Sequence, residues 1–196
     1  MNRVQNYQPV EELAYEFCSQ ALLIYQDDIS DSEAKSQAIN LIVCTLFNLN
    51  CFSEENHNTL LANAMSSCAQ LLKKPAQCEA IITASNLYNS QFRADGKRAM
   101  DQLKKAHKIC DVCMTSAKNL YLCVDLLNKY LYYYIYEASF MTAEDVNNVI
   151  DFIKEHVDGL EDREAAKAGL KYFENTKKAI KFKAETNERL KALKVD

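Results

Sequence analysis

The chain is predicted to be all-α, an α-solenoid of paired helices, on three observations. It has only 3 glycines and 2 prolines in 196 residues, with Ala, Leu, Lys, Glu, Gln and Asn plentiful, a composition that favours helix nearly everywhere. Apolar residues recur three and four apart along most of its length. Helix-start signals return at a spacing that makes each helix pair roughly forty residues long, the period of a HEAT-like repeat. About eight such helices with broad apolar faces suit a stack of hairpins.

The first helix is expected over 9–27, with Val10, Leu13, Phe17, Ala21 and Ile24 on one face. Ser30-x-x-Glu33 then reads as the cap of a second, whose buried stripe is Ala38, Leu41, Ile42, Leu46 and Leu49. Ser53 before Glu54 and Glu55 opens a third, ending near Leu72. Pro75 fits the first turn of a fourth, where a missing N–H costs nothing, and that helix fades at Gln91. The loop 90–96 separates it from a fifth, marked by Met100, Leu103, Ala106 and Cys110. A sixth is expected from Ser116 to Glu137. Thr142 with Asp145 opens a seventh, carrying Val146, Val149, Ile150, Ile153 and Val157 to a C-cap at Gly159. The last runs from Leu160 with Leu170, Phe173, Ile180 and Ala184 on one side. Residues 1–8 are expected to be an extended or disordered lead-in, 9–193 one solenoid domain and 194–196 a frayed end.

Composition narrows the function classes. The net charge is −4, but residues 1–60 hold only Arg3 and Lys35 against nine acids, while 160–196 hold ten bases against seven. A dedicated nucleic-acid binder would present a basic face, so none is expected. The gradient suits self-association or different partners at the two ends, although solvated helix faces explain it as well. No run of eighteen apolar residues occurs, nor does the sequence start with the apolar core of a signal peptide, so an intracellular protein is expected. The 8 cysteines lie within helical patterns, Cys18, Cys44, Cys68, Cys78 and Cys123 each beside aliphatic residues, and are read as reduced thiols in the core.

The motifs that could carry chemistry are weak. Cys110-x-x-Cys113 has zinc-site spacing but lacks a second pair, and His57, His107 and His156 follow no ligand pattern. Asp27-Asp28 and Glu54-Glu55 point about a hundred degrees apart on a helix and lie near helix ends, where acids meet dipoles or solvent. Phosphate loops and nucleophile elbows are absent from the sequence. An enzyme is therefore not expected, nor a cofactor or metal. Tyr130-Leu-Tyr-Tyr-Tyr-Ile-Tyr136 surrounds a helix with tyrosines, residues favoured at interfaces, so Tyr130, Tyr133 and Tyr134 are candidate partner contacts or else a packed core. Lys97 and Arg98 begin a helix, where positive charge opposes the dipole, and are expected to answer acids elsewhere or simply to face solvent.

Several words in order resemble one family: Ala14-Tyr-Glu-Phe17, Asp28-Ile-Ser-Asp-Ser32, Cys51-Phe-Ser-Glu-Glu-Asn-His57, Leu71-Leu-Lys-Lys-Pro75, Gly96-Lys-Arg98, Leu103-Lys-Lys-Ala106 and Leu127-Asn-Lys-Tyr-Leu-Tyr-Tyr-Tyr134. Over roughly residues 10–155 they look like the C-terminal part of the large subunit of retromer, the vacuolar protein sorting complex. The resemblance implies a scaffold that embraces the small retromer subunit, a metallophosphoesterase fold, over its metal-site face. It also implies an endosomal coat on the cytosolic face that retrieves cargo and meets membrane only through the complex. The family's partner-contacting His-Leu-Phe-Trp reads here Asn86-Leu-Tyr-Asn89, so Asn86, Leu87 and Tyr88, with Lys97 and Arg98, are the expected contact residues. Asp27, Asp28, Lys73 and Lys74 match acidic and basic positions through which the family's tip pairs with itself, implying a weak, salt-sensitive homodimer. The competing reading is a helical-repeat adaptor that binds short peptides along the tyrosine helix.

Overall fold

In a computed structural model, the structure describes residues 8–90, 93–136 and 138–195. Eight α-helices are described, in the order α1 (Gln8–Asp27), α2 (Ser32–Asn48), α3 (Glu54–Ala69), α4 (Lys74–Ala84), α5 (Gly96–Cys113), α6 (Leu120–Ile135), α7 (Ala143–Asp158) and α8 (Lys167–Ala184). Short 3-10 turns follow α4 (Ser85–Tyr88), precede α6 (Ala117–Asn119) and follow α8 (Glu188–Ala192). The fold is all-α as expected, apart from a two-residue ladder, β1 (Asn89–Ser90) against β2 (Arg93–Ala94), inside the expected loop. The chain divides into two compact units, Met1–Asp95 and Gly96–Asp196. Of the expected lead-in 1–8, Gln8 opens α1 and residues 1–7 lie outside the described residues, as do the expected helix ends at Gln91 and Glu137.

The first unit stacks α1 to α4. The cap of α2 is Asp31 rather than Ser30: its Oδ1 accepts from the N–H of Glu33 and Ala34 at 3.0 and 2.8 Å. A carboxylate there meets both amides and the positive end of the helix. Ser53 caps α3 as expected, its Oγ accepting from the Asn56 N–H, and Pro75 sits in the first turn of α4.

The faces of α1 and α2 differ from expectation. Val10, Leu13, Phe17 and Ile24 are exposed, while Cys18, Leu22 and Tyr25 are buried. The reason is polar. Glu11 lies on the stripe of Cys18, Leu22 and Tyr25, and its Oε1 accepts from the Ser53 N–H at 2.6 Å and from Asn56 Nδ2 at 2.8 Å. At the other end the Tyr25 hydroxyl donates to the Ser67 carbonyl at 3.4 Å. These anchors turn that stripe inward although the opposite one is more aliphatic. On α2 the buried stripe is Ile39, Val43 and Leu46, leaving Leu41 outside.

The second unit is built around α6, which packs against α5, α7 and α8. Leu120, Leu122, Cys123, Val124, Leu126 and Leu127 are all fully buried, because helices cover it on several sides. The α5 stripe Met100, Leu103, Ala106 and Cys110 is buried as expected. On α7, Val146, Val149, Ile150 and Ile153 are buried as expected while Val157 is half-buried, and the Thr142–Asp145 pair forms a complete capping box. Helix α8 starts at Lys167 instead of Leu160, after a turn in which Asp162 Oδ1 accepts from the Ala165 N–H at 2.9 Å. Within the expected frayed end, Val195 is buried and the Lys194 N–H donates to Asn147 Oδ1 at 2.8 Å.

Candidate functional site

Lining up hairpins brings turns that are distant in sequence to one end of a unit. In the first unit, the α1–α2 and α3–α4 turns share a cleft of about 290 Å³ lined by Tyr25, Gln26, Ser30, Ser32, Lys35, Gln70, Leu71 and Leu72. Asp27 and Asp28 stand in one of these turns and Lys73 and Lys74 begin the next helix, all four exposed. Lys74 Nζ is held by Gln77 Oε1 at 2.9 Å. Lys35 Nζ lies 5.3 Å from the centre of the Tyr25 ring. Leu72, 86% exposed between the cleft and the lysines, was not singled out from sequence. The signal for it was the Leu71-Leu72 pair at a helix end, where one leucine faces in and its neighbour faces out.

The expected partner contacts divide by burial. Leu87 and Tyr88 are buried at 1% and 9%, in the 3-10 turn that packs on α2 and α4. An anchor offered to a partner has to be reachable, so the expectation of an exposed Leu87–Tyr88 anchor is corrected: both hold the turn in place from beneath. Asn86 is half-buried. The turn is closed by the Ser85 hydroxyl donating to the Ile82 carbonyl at 2.7 Å and the Asp95 N–H donating to the Tyr88 carbonyl at 2.7 Å. In the second unit Lys97 and Arg98 are exposed at the start of α5.

The tyrosine helix is corrected in the same way. Tyr130, Tyr133 and Tyr134 are buried, whereas Tyr132 and Tyr136 face solvent at 45% and 72%. Burial pushes the Tyr130 phenol well above its ordinary range. Tyr133 rests against Phe140, ring centres 5.1 Å apart, and the Tyr134 hydroxyl donates to the Arg189 carbonyl at 2.9 Å. A peptide groove lined by Tyr130, Tyr133 and Tyr134 is thus closed by the unit's own packing.

Cys110 and Cys113 are both buried on α5, in keeping with core packing. Cys44 is exposed, not in the core as expected. Burial pushes the Cys68 thiol up to about 12, so it behaves as a small apolar side chain. The histidines that sequence left scattered are partly brought together. The ring centre of Phe152 lies 4.5 Å from that of His107 and 4.3 Å from that of His156, and His156 Nε2 is 3.5 Å from Asp111 Oδ1. This ties α5 to α7. Both imidazoles pack against one phenyl ring, and among the described residues no group of three or more His, Cys, Asp or Glu is placed to hold a metal.

Against known proteins, the family model for vacuolar protein sorting-associated protein 35 matches residues 2–156. The chain is 35% identical to vacuolar protein sorting-associated protein 35A of Arabidopsis thaliana over 199 residues, covering 94% of this chain and 25% of that protein. It is 37% identical to protein 35B of the same plant over 154 residues, 74% of this chain and 20% of the relative. To vacuolar protein sorting-associated protein 35 of Schizosaccharomyces pombe it is 33% identical over 153 residues, 74% and 18% respectively. The chain therefore spans a quarter or less of the length of these relatives.

Proposed function

The chain belongs to the vacuolar protein sorting-associated protein 35 family, and from that premise we propose that it is a scaffold module of the retromer coat. Its partner in this reading is the small retromer subunit with a metallophosphoesterase fold, and its place is the cytosolic face of endosomes, where the complex retrieves cargo. It takes part in no reaction of its own and reaches membrane only through the complex. The observation that carries the proposal is the family match, which runs through both compact units.

Two groups of side chains support a partner surface of this kind. Asn86 stands where the resemblance puts the partner contact, on a turn made rigid by the buried Leu87 and Tyr88. Lys97 and Arg98 are exposed at the start of α5, where two adjacent positive charges suit an acidic partner surface. Rigid support beneath an exposed contact lowers the ordering cost of binding.

Co-purification with the small subunit tests the proposal. Lys97→Glu with Arg98→Glu should weaken capture at least tenfold, while thermal stability stays within about 0.5 kcal/mol, as for a surface change. Leu87→Ala should instead lower stability by roughly 2–5 kcal/mol, the usual cost of a leucine-to-alanine cavity. Undiminished capture by the double charge reversal would remove Lys97 and Arg98 from the interface. Failure of the native chain to capture the subunit at all would remove the function.

A further inference from the structure

Segment 187–195 forms a strap on the second unit, and side chains of α6 and α7 hold it by its main chain. Asn147, a buried polar side chain on α7, donates through Nδ2 to the Ala192 carbonyl at 3.1 Å and accepts at Oδ1 from the Lys194 N–H at 2.8 Å. The Tyr134 hydroxyl donates to the Arg189 carbonyl at 2.9 Å, and Lys154 Nζ to the Lys194 carbonyl at 2.8 Å. A side-chain amide that satisfies the carbonyl at the end of a 3-10 turn and the N–H two residues on reads peptide backbone, whatever side chains that backbone carries.

The side chains of the strap sort into anchors and spacers. Leu190, Leu193 and Val195 are buried at 1%, 6% and 8%, while Lys191, Ala192 and Lys194 face solvent. Alternate pockets with main-chain hydrogen bonds between them are how peptide grooves combine affinity with selectivity. The electrostatic part is slight: Lys194 Nζ stands 3.9 Å from Asp151 at the surface, a pair of a kind that contributes little.

We propose that the surface of α6 and α7 carrying Tyr134, Asn147 and Lys154 is a peptide-docking groove that the strap fills in cis. When the strap lifts, the groove takes a partner segment of the same form, a 3-10 turn followed by a short tail, with aliphatic anchors at positions i, i+3 and i+5. A basic residue one position before the last anchor would meet Asp151. The proposal stands whether or not the small subunit binds.

The test uses the full chain and a fluorescein-labelled peptide with the sequence of residues 186–195, read by anisotropy. The native chain should bind the peptide weakly, because its own strap competes. With Leu190→Ala and Leu193→Ala in the chain, helical circular dichroism should be retained and the labelled peptide should bind at least tenfold more tightly. Adding Asn147→Ala should abolish that gain. Equal binding of a peptide with both leucines replaced by serine would overturn the proposal, as would absence of binding to the folded double variant. Loss of helix in the double variant would also overturn it, by making the strap part of the core. A dimer formed by exchanged straps in sedimentation would assign the groove to a second copy and overturn the partner reading.

Discussion

At the scale of single residues, the choice between two apolar stripes is made by polar atoms. Glu11 and Tyr25 find partners on the inner side of α1, and their stripe is buried although Leu13 and Phe17 are the more apolar. An unpaired buried donor or acceptor costs about 1–3 kcal/mol, comparable with burying one aliphatic side chain. His107 gives a pH-dependent counterpart. Burial holds its imidazole below the ordinary 6.5, with Asp111 opposing and His156 adding to the shift. A lowered folded pKa means that the unfolded chain takes up the proton first. Stability from this group is complete above 6.5 and is lost as pH falls through the window beneath it. His107→Phe keeps a ring against Phe152 and removes the titration. Between about pH 7 and pH 5.5 the native urea midpoint should therefore fall further than that of the variant. Parallel profiles would refute this origin of acid sensitivity, since the His156–Asp111 pair is common to both proteins.

At the scale of elements, helix spacing is set by the smallest residues. A Cβ on Gly169 would come within 2.8 Å of Leu120 Cβ and 3.1 Å of the Tyr121 nitrogen, so α8 can approach the start of α6 only because position 169 is glycine. Gly169→Ala has to push α8 away or displace Leu120, which is fully buried. Although alanine is the better helix former, the variant should be less stable by roughly 1–3 kcal/mol, an overpacking cost, measured by thermal melting. A neutral or raised melting temperature would mean that α8 gives way freely. Gly96 is similarly placed, since a Cβ there would overlap the Phe140 ring. The sequence places Gly169 in a helix and Gly96 at the end of a loop, but only the neighbouring elements make them necessary.

At the scale of the whole molecule, the self-association implied by the resemblance falls on side chains that one end of the first unit collects. Acidic Asp27 and Asp28 and basic Lys73 and Lys74 belong to turns that share a cleft, with Leu72 exposed beside them. This is suited to a two-fold contact in which each copy's acids meet the other's lysines. Sedimentation at low salt should show a weak dimer that dissolves as ionic strength rises towards about 0.5 M, because exposed pairs are screened. Asp27→Lys with Asp28→Lys should abolish it, and mixing that variant with Lys73→Glu, Lys74→Glu should restore a heterodimer. A dimer that is unaffected by salt and charge reversal would place self-association elsewhere.

Sequence alone determined the all-α class, the succession of eight helices, the caps at Ser53 and Thr142, the first-turn Pro75 and the family words, because these depend on neighbours within a few residues. It also located the residues of the charged end without showing that their turns meet. What only the tertiary structure decided is which of two plausible faces each helix buries. Leu87, Tyr88, Tyr130, Tyr133 and Tyr134 look like interface residues by type and prove to be core by position. The docking of segment 187–195 was likewise hidden, since Leu190, Leu193 and Val195 acquire meaning only beside Asn147, some 45 residues earlier in the chain. The physical reason is common to all of these: propensity and capping are local free energies, whereas burial is a competition among surfaces that are brought together only when the helices stack.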